Sequence, residues 1–162
     1  ANCLKPFVDF FYLDVMSSYK ECNIAINAIL PLKKEILIGI HLRKGGKLPS
    51  GESFISVVKK LEKYKPLGVL ASCVSVEDVS KVIKNINKIK IPFGFKINAF
   101  EHIPAGWKPD SNNPKVQLGK RKDLTPKKFL NICKKFNKSG AKIIGGCCEI
   151  KPSHIKALKN LV

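Results

Sequence analysis

Cys147 and Cys148 stand side by side behind Gly145 and Gly146, at the end of the short run Ala141 to Ile144. Neighbouring side chains in a strand point to opposite faces, so adjacent thiols can serve one centre only where the backbone leaves the strand. Glycine tolerates the unusual dihedrals that such an exit needs. A disulfide between neighbours fits poorly, because their Cα atoms sit about 3.8 Å apart, closer than the usual bridge. Two readings remain, a soft-metal site or buried inert thiols. Cys73 favours the first. It follows the apolar run Leu67 to Ala71 and precedes Val76-Glu77-Asp78-Val79, which reads as the start of a helix. Both cysteine positions therefore fall just past a strand and just before a helix. In a parallel α/β sheet such junctions share one rim, where active sites gather. Three thiolates converging there would hold a zinc ion at about 2.3 Å and leave a fourth tetrahedral position free, the catalytic arrangement. The spacing is not that of a zinc ribbon, since the chain has no CxxC pair.

The remaining titratable and charged residues exclude more than they propose. Cys3, Cys22 and Cys133 read as ordinary core or surface thiols, since free cysteine behaves as a small hydrophobe. Six cysteines without a recognisable secretion signal point to a reducing, cytoplasmic setting. No apolar run approaches the ~18 residues that span a bilayer. The net charge of +18 is carried by lysine, Arg43 and Arg121 being the only arginines. Specific nucleic-acid recognition favours the bidentate guanidinium and clusters its charge on one face. Here the lysines recur on every segment, as in Lys59-Lys60, Lys81, Lys84, Lys88, Lys127-Lys128 and Lys134-Lys135. They read as solvated helix faces with at most a loose, salt-sensitive attraction to polyanions. His41 ends a strand on the active rim and is the histidine best placed for a pocket role. His154 reads as a polar residue at a helix start, and His102 falls in a long loop. No Ser-His-Asp or phosphate-loop pattern occurs.

Strands and helices alternate along the chain. Val8 to Asp14 is followed by a helix from Ser18 to Leu30, with Ser17 or Ser18 as its cap and Ile24, Ala25, Ala28 and Ile29 along one stripe. Strand Ile36 to Leu42 leads through a Gly/Pro-rich loop to helix Ser53 to Tyr64. Leu67 to Ala71 precedes helix Val76 to Ile86, and strand Pro92 to Ile97 ends at a connection from about Asn98 to Leu124. Thr125 caps the next helix, with Pro126 at its first position; Ala141 to Ile144 is the fifth strand, and Pro152 opens a last helix through Leu158. Five βα units in a row imply a parallel sheet with right-handed crossovers. A closed eight-stranded barrel takes at least about 200 residues, so 162 residues hold part of a barrel or a complete doubly wound sheet. The Asn98–Leu124 connection is longer than most and reads as a lid or a disordered stretch. Trp107, the only tryptophan, would cover a substrate there or pack locally.

Ile144-Gly145-Gly146-Cys147-Cys148, with Pro152-Ser153-His154-Ile155 after it, resembles the closing motif of the homocysteine S-methyltransferase family. Gly68 to Cys73 resembles the segment that carries the family's first zinc cysteine, with Ala71-Ser72 where Val-Asn is usual. Asn98-Ala99-Phe100-Glu101 followed by Gly106-Trp107 resembles the strand and loop between the two motifs. Leu13-Asp14 stands where the family usually has a glutamate that contacts homocysteine. The resemblance implies a partial TIM (β/α)8 barrel, about five consecutive parallel βα units corresponding to its C-terminal half to two-thirds. Residues 1–162 would form a single domain incomplete at its N-terminal side. It further implies Zn2+ held by Cys73, Cys147 and Cys148, with Asp14 and Asn98 at the substrate. The activity implied is transfer of a methyl group from a donor (S-methylmethionine, S-adenosylmethionine, betaine or a folate) to homocysteine, giving methionine. The chain departs from the pattern in three ways. Asp14 is one methylene shorter than glutamate, Glu149 replaces the glycine usual after the cysteine pair, and nothing matches the family's first strands. We therefore expect an incomplete or inactive enzyme as an isolated chain, or alternatively a non-catalytic half-barrel that retains a zinc site. Uncovered sheet edges invite pairing, so a homo-oligomer covering the open barrel face is also expected.

Overall fold

A computed structural model describes residues 1–43, 45–104 and 118–161. The expected lid, with Trp107, lies outside the described residues. Five strands, β1 (Phe10–Met16), β2 (Glu35–His41), β3 (Gly68–Val74), β4 (Phe93–Ile97) and β5 (Ile143–Gly146), alternate with helices. The helices are α1 (Tyr19–Ile29), α2 (Phe54–Leu61), α3 (Val76–Val82), α4 (Pro126–Lys138) and α5 (Pro152–Ala157). Local chemistry sets the starts. Ser18, Ser75 and Thr125 accept from the backbone N–H three residues on, at 3.0, 3.1 and 3.3 Å, while Pro126 and Pro152 open α4 and α5. No helix among the described residues is long and apolar enough to cross a membrane.

All strand pairs are parallel, in the order β1-β2-β3-β4-β5. A doubly wound sheet reverses direction at a switch point; among the described residues the strand order shows no reversal. Right-handed crossovers then put every helix on one face, which is the arrangement of a partial barrel. The core lies between that face and the helices. Phe11, Ile38, Ile40, Val69, Phe93 and Phe95 belong to one buried cluster with Ile26, Val57, Leu61, Val79, Phe129 and Phe136 from the helices. Phe54 meets Phe93, and Phe95 meets Phe136, edge to face at 5.8 and 5.3 Å. Cys22 and Cys133 lie in this core as expected, and burial pushes both thiols up to about 12. The opposite face carries Tyr12, Asp14, Leu37, Ser72, Lys96 and Ile143, with Gly39 and Gly68 leaving room among them.

β2 and β4 depart from their expected bounds by one residue, and the other three strands by more. β1 begins and ends two residues later than Val8–Asp14 because the chain bulges past Leu13, with Val15 at φ 59°. β3 continues beyond Ala71 to Val74 and so contains Cys73. β5 starts at Ile143, not Ala141, because the Ala141 N–H is taken by the Phe136 carbonyl at 3.1 Å and still belongs to the end of α4.

Candidate metal centre

Cys73 sits within a strand yet escapes its alternation. Ser72 faces the concave side, where it bonds to Asp14, so a regular strand would turn Cys73 toward the helices. Instead the register with β4 slips between Ser72 and Val74, and Cys73 adopts φ 52°. A bulge of this kind re-aims a side chain. The bulge is held by Asn98, which is 3% exposed. Its Nδ2 donates to the Cys73 carbonyl at 2.9 Å and lies 3.8 Å from Cys73 Sγ. The expected substrate residue Asn98 is therefore engaged with the Cys73 backbone.

At the end of β5 the chain leaves the strand, as adjacent thiols require. The Cys147 N–H donates to the Ile97 carbonyl at 2.7 Å, and the Cys148 carbonyl accepts from Ala99 N–H at 2.9 Å. A turn closes with Ile150 N–H on the Cys147 carbonyl at 3.1 Å. The left-handed residue of this turn is Glu149, φ 63°, and neither preceding glycine. Gly145 and Gly146 are strand residues. At Gly146 the demand is for space, since a Cβ there would run into the Ile150 side chain. The left-handed backbone at 149 is a physical reason for glycine to be usual at that position.

These two devices bring the three predicted cysteines together. Cys148 Sγ lies 3.8 Å from Cys73 Sγ and 3.8 Å from Cys147 Sγ, and all three sulphurs fall within 4.8 Å of one another. Sulphurs placed tetrahedrally at about 2.3 Å from zinc stand about 3.8 Å apart, so the donor set fits that ion. Cys73 and Cys147 are half-buried and Cys148 is exposed, leaving the cluster open on one side. Its electrostatics are those of sulphurs sharing negative charge. Hydrogen bonding from Cys73, helped by the Cys148 backbone and the charge of Lys96, pushes the Cys147 thiol down to about 6 against the effect of burial. Cys73 is raised by its hydrogen bond to Cys147 and by burial; Cys148 is raised by burial and the Cys147 charge. Crowded thiolates repel, and a divalent cation removes that penalty.

A polar chain on the concave face adjoins the cluster. Ser72 donates to Asp14 Oδ1 at 2.8 Å, which leaves the Tyr12 hydroxyl to donate to Ser72 Oγ at 2.7 Å. The other Asp14 oxygen accepts from the Lys96 ammonium. Lys96 Nζ also lies 5.2 Å from the centre of the Tyr12 ring. Burial pushes the Tyr12 hydroxyl up to about 12. Asp14 thus occupies the concave face, as its expected substrate role needs, but in an ion pair. Sequence reasoning missed Tyr12, Ser72 and Lys96. The signal for Lys96 was available, because Phe93, Phe95 and Ile97 alternate along β4 and consign Lys96 to the other face.

His41 and His154 are bonded to backbone groups rather than to the cluster's sulphurs. His41 is half-buried with Nδ1 3.3 Å from the Ser72 carbonyl oxygen, and burial lowers its pKa. His154 does start a helix, yet it is buried. Its Nδ1 accepts from Lys151 N–H at 3.1 Å, so Nε2 carries the proton and donates to the Leu124 carbonyl at 2.8 Å. That bond ties α5 to the start of α4. His102 is exposed.

A family model described as homocysteine S-methyltransferase matches residues 1–162, the whole chain. No curated protein matches it.

Proposed function

The chain belongs to the homocysteine S-methyltransferase family, and we propose that its site binds the thiol of homocysteine for methylation to methionine. The observation that carries this reading is the meeting of Cys73, Cys147 and Cys148 within 4.8 Å at the mouth of the sheet. A zinc ion held by the three sulphurs would supply a fourth position that takes a thiol as thiolate, the nucleophilic form. Everything else falls to the protein. Asn98 fixes the bulge that aims Cys73. Asp14, on the same concave face, is the group suited to accept the substrate's α-ammonium, and its shorter side chain brings that end of the substrate closer to β1. The exposed side, at Cys148, is where a methyl donor can approach in line with the sulphur. A reducing, cytoplasmic setting suits free thiolate ligands.

We read residues 1–162 as one domain holding five of a barrel's eight βα units, incomplete at its N-terminal side. Metal and thiol binding need only β1 and β3 to β5. Enclosing the donor needs the rest of a barrel wall, so methyl transfer by this chain alone is expected to be slow or absent. The second reading, a non-catalytic half-barrel that keeps the zinc site, is favoured by the Asp14 carboxylate being already paired with Lys96. Elemental analysis tests the shared premise, with about one zinc per chain expected and loss of it in Cys147→Ser. Methyl-transfer assays with homocysteine and each donor separate the readings. Turnover supports the enzyme, zinc without turnover supports the remnant, and no zinc at all removes both.

A further inference from the structure

Lys96 is a lysine in the wrong place for solvation. The charge of +18 is spread along the chain, but β4 turns this one side chain onto the concave face. There it registers with Ser72 on one neighbouring strand and Gly145 on the other. Ser72 is one residue before Cys73 and Gly145 two before Cys147, so Lys96 stands on the strand between the two cysteine segments, just below the cluster. An ammonium has three donors; among the described residues its recorded acceptor is a single oxygen of Asp14. The pair is not sealed, since the Lys96 and Asp14 side chains are 20% and 34% exposed. A carboxylate beside an ammonium, facing a site for a thiol, is the charge complement of the end of an α-amino acid.

We propose that Lys96 is the carboxylate anchor of the thiol site: its spare donors bind the α-carboxylate of an amino-acid thiol while Asp14 takes the α-ammonium. This rests on the thiol-binding reading above and adds the residue that would select an amino acid over a simple thiol. Before substrate arrives the two side chains satisfy each other, and on binding each exchanges part of that contact for the matching group of the zwitterion. The Tyr12 ring under Lys96 and the Tyr12–Ser72–Asp14 chain hold both in place. The competing role is purely structural, an ion pair tying β1 to β4.

The test uses the full chain loaded with cobalt(II), with thiol binding read from sulphur-to-cobalt charge-transfer absorption. Homocysteine is compared with aminopropanethiol, its analogue without the carboxylate. Wild type is expected to bind homocysteine at least roughly tenfold more tightly. Lys96→Met should bring that ratio to about one by weakening homocysteine alone, with cobalt stoichiometry kept, and Lys96→Arg should restore much of it. Equal affinities in wild type overturn the proposal without any variant, as does a Lys96→Met protein that still prefers homocysteine. A variant that binds cobalt but loses both thiols equally shows the structural role instead. If wild type binds cobalt and neither thiol perturbs its spectrum, the thiol-binding reading itself fails.

Discussion

Asn98 places one of the three sulphurs without being a ligand. Its buried amide satisfies the Cys73 carbonyl at 2.9 Å, and truncation leaves that carbonyl unpaired in a bulge with a left-handed residue. Asn98→Ala is expected to cost about 1–3 kcal/mol in urea unfolding and to weaken zinc roughly ten- to a hundredfold in chelator competition. Unchanged zinc affinity would mean that the bulge holds itself. The Asp14–Lys96 pair makes a second residue-level prediction, this one in pH. Burial raises the Asp14 carboxyl, but hydrogen bonds from Lys96 and Ser72 outweigh it and hold the group below its usual value. Its contribution is therefore full above the unfolded pKa of about 3.9 and fades as pH falls through the folded value. Lys96 is opposed by burial and raised by Asp14, so its share is full below about 10.4 and fades as pH rises through the folded value. Asp14→Asn should be most destabilising, relative to wild type, between those limits, with the difference shrinking below about pH 4. A constant difference down to pH 2.5 would show that the pair does not act as charges.

The elements put demands on residues that have no side chain to show for it. Gly94 lies where β4 meets β5, and a Cβ there would collide with the backbone and Cβ of Ile143. Neither can yield without moving β5, the strand that delivers Cys147 and Cys148. Gly94→Ala should cost about 1–3 kcal/mol as overpacking and lower zinc affinity with it, whereas Gly45→Ala, in open space though at φ 93°, should cost stability alone. Much at this scale was legible in the sequence. Runs of apolar residues marked the five strands, and Ser17 or Ser18, Thr125, Pro126 and Pro152 marked helix starts, because those signals are local. The shared rim of the three cysteines was legible too, since a parallel sheet with regular crossovers admits only one. What stayed hidden depends on pairing between strands. The bulge at Cys73, the left-handed Glu149 and the space needs of Gly94 and Gly146 follow from partner backbones that no short window of sequence contains. The inward lysine was readable from alternation in β4, yet a chain rich in surface lysine disguises it.

For the molecule as a whole, two forces oppose each other at the sheet edges. Among the described residues β1 pairs only with β2 and β5 only with β4, so each keeps a row of free backbone groups. Beside the β1 edge, Leu4, Phe7 and Phe10 are exposed, Phe7 by 84%. Apolar residues flanking an unpaired edge favour association, while a net charge of +18 resists it. The charge term is long-ranged and screened, with a Debye length of about 10 Å at 0.1 M salt and about 3 Å at 1 M; apolar contact is not weakened by salt. Salt should therefore tip the balance toward self-association. Sedimentation velocity is expected to show a larger oligomer fraction at 0.5 M than at 0.05 M sodium chloride, and Phe10→Lys should reduce it at both. Loose attraction to a polyanion such as heparin would run the opposite way, weakening as salt rises. A chain that stays monomeric at high concentration in high salt would mean that its open edges are protected without a partner, and that the concave face is accessible to solvent and substrate in solution.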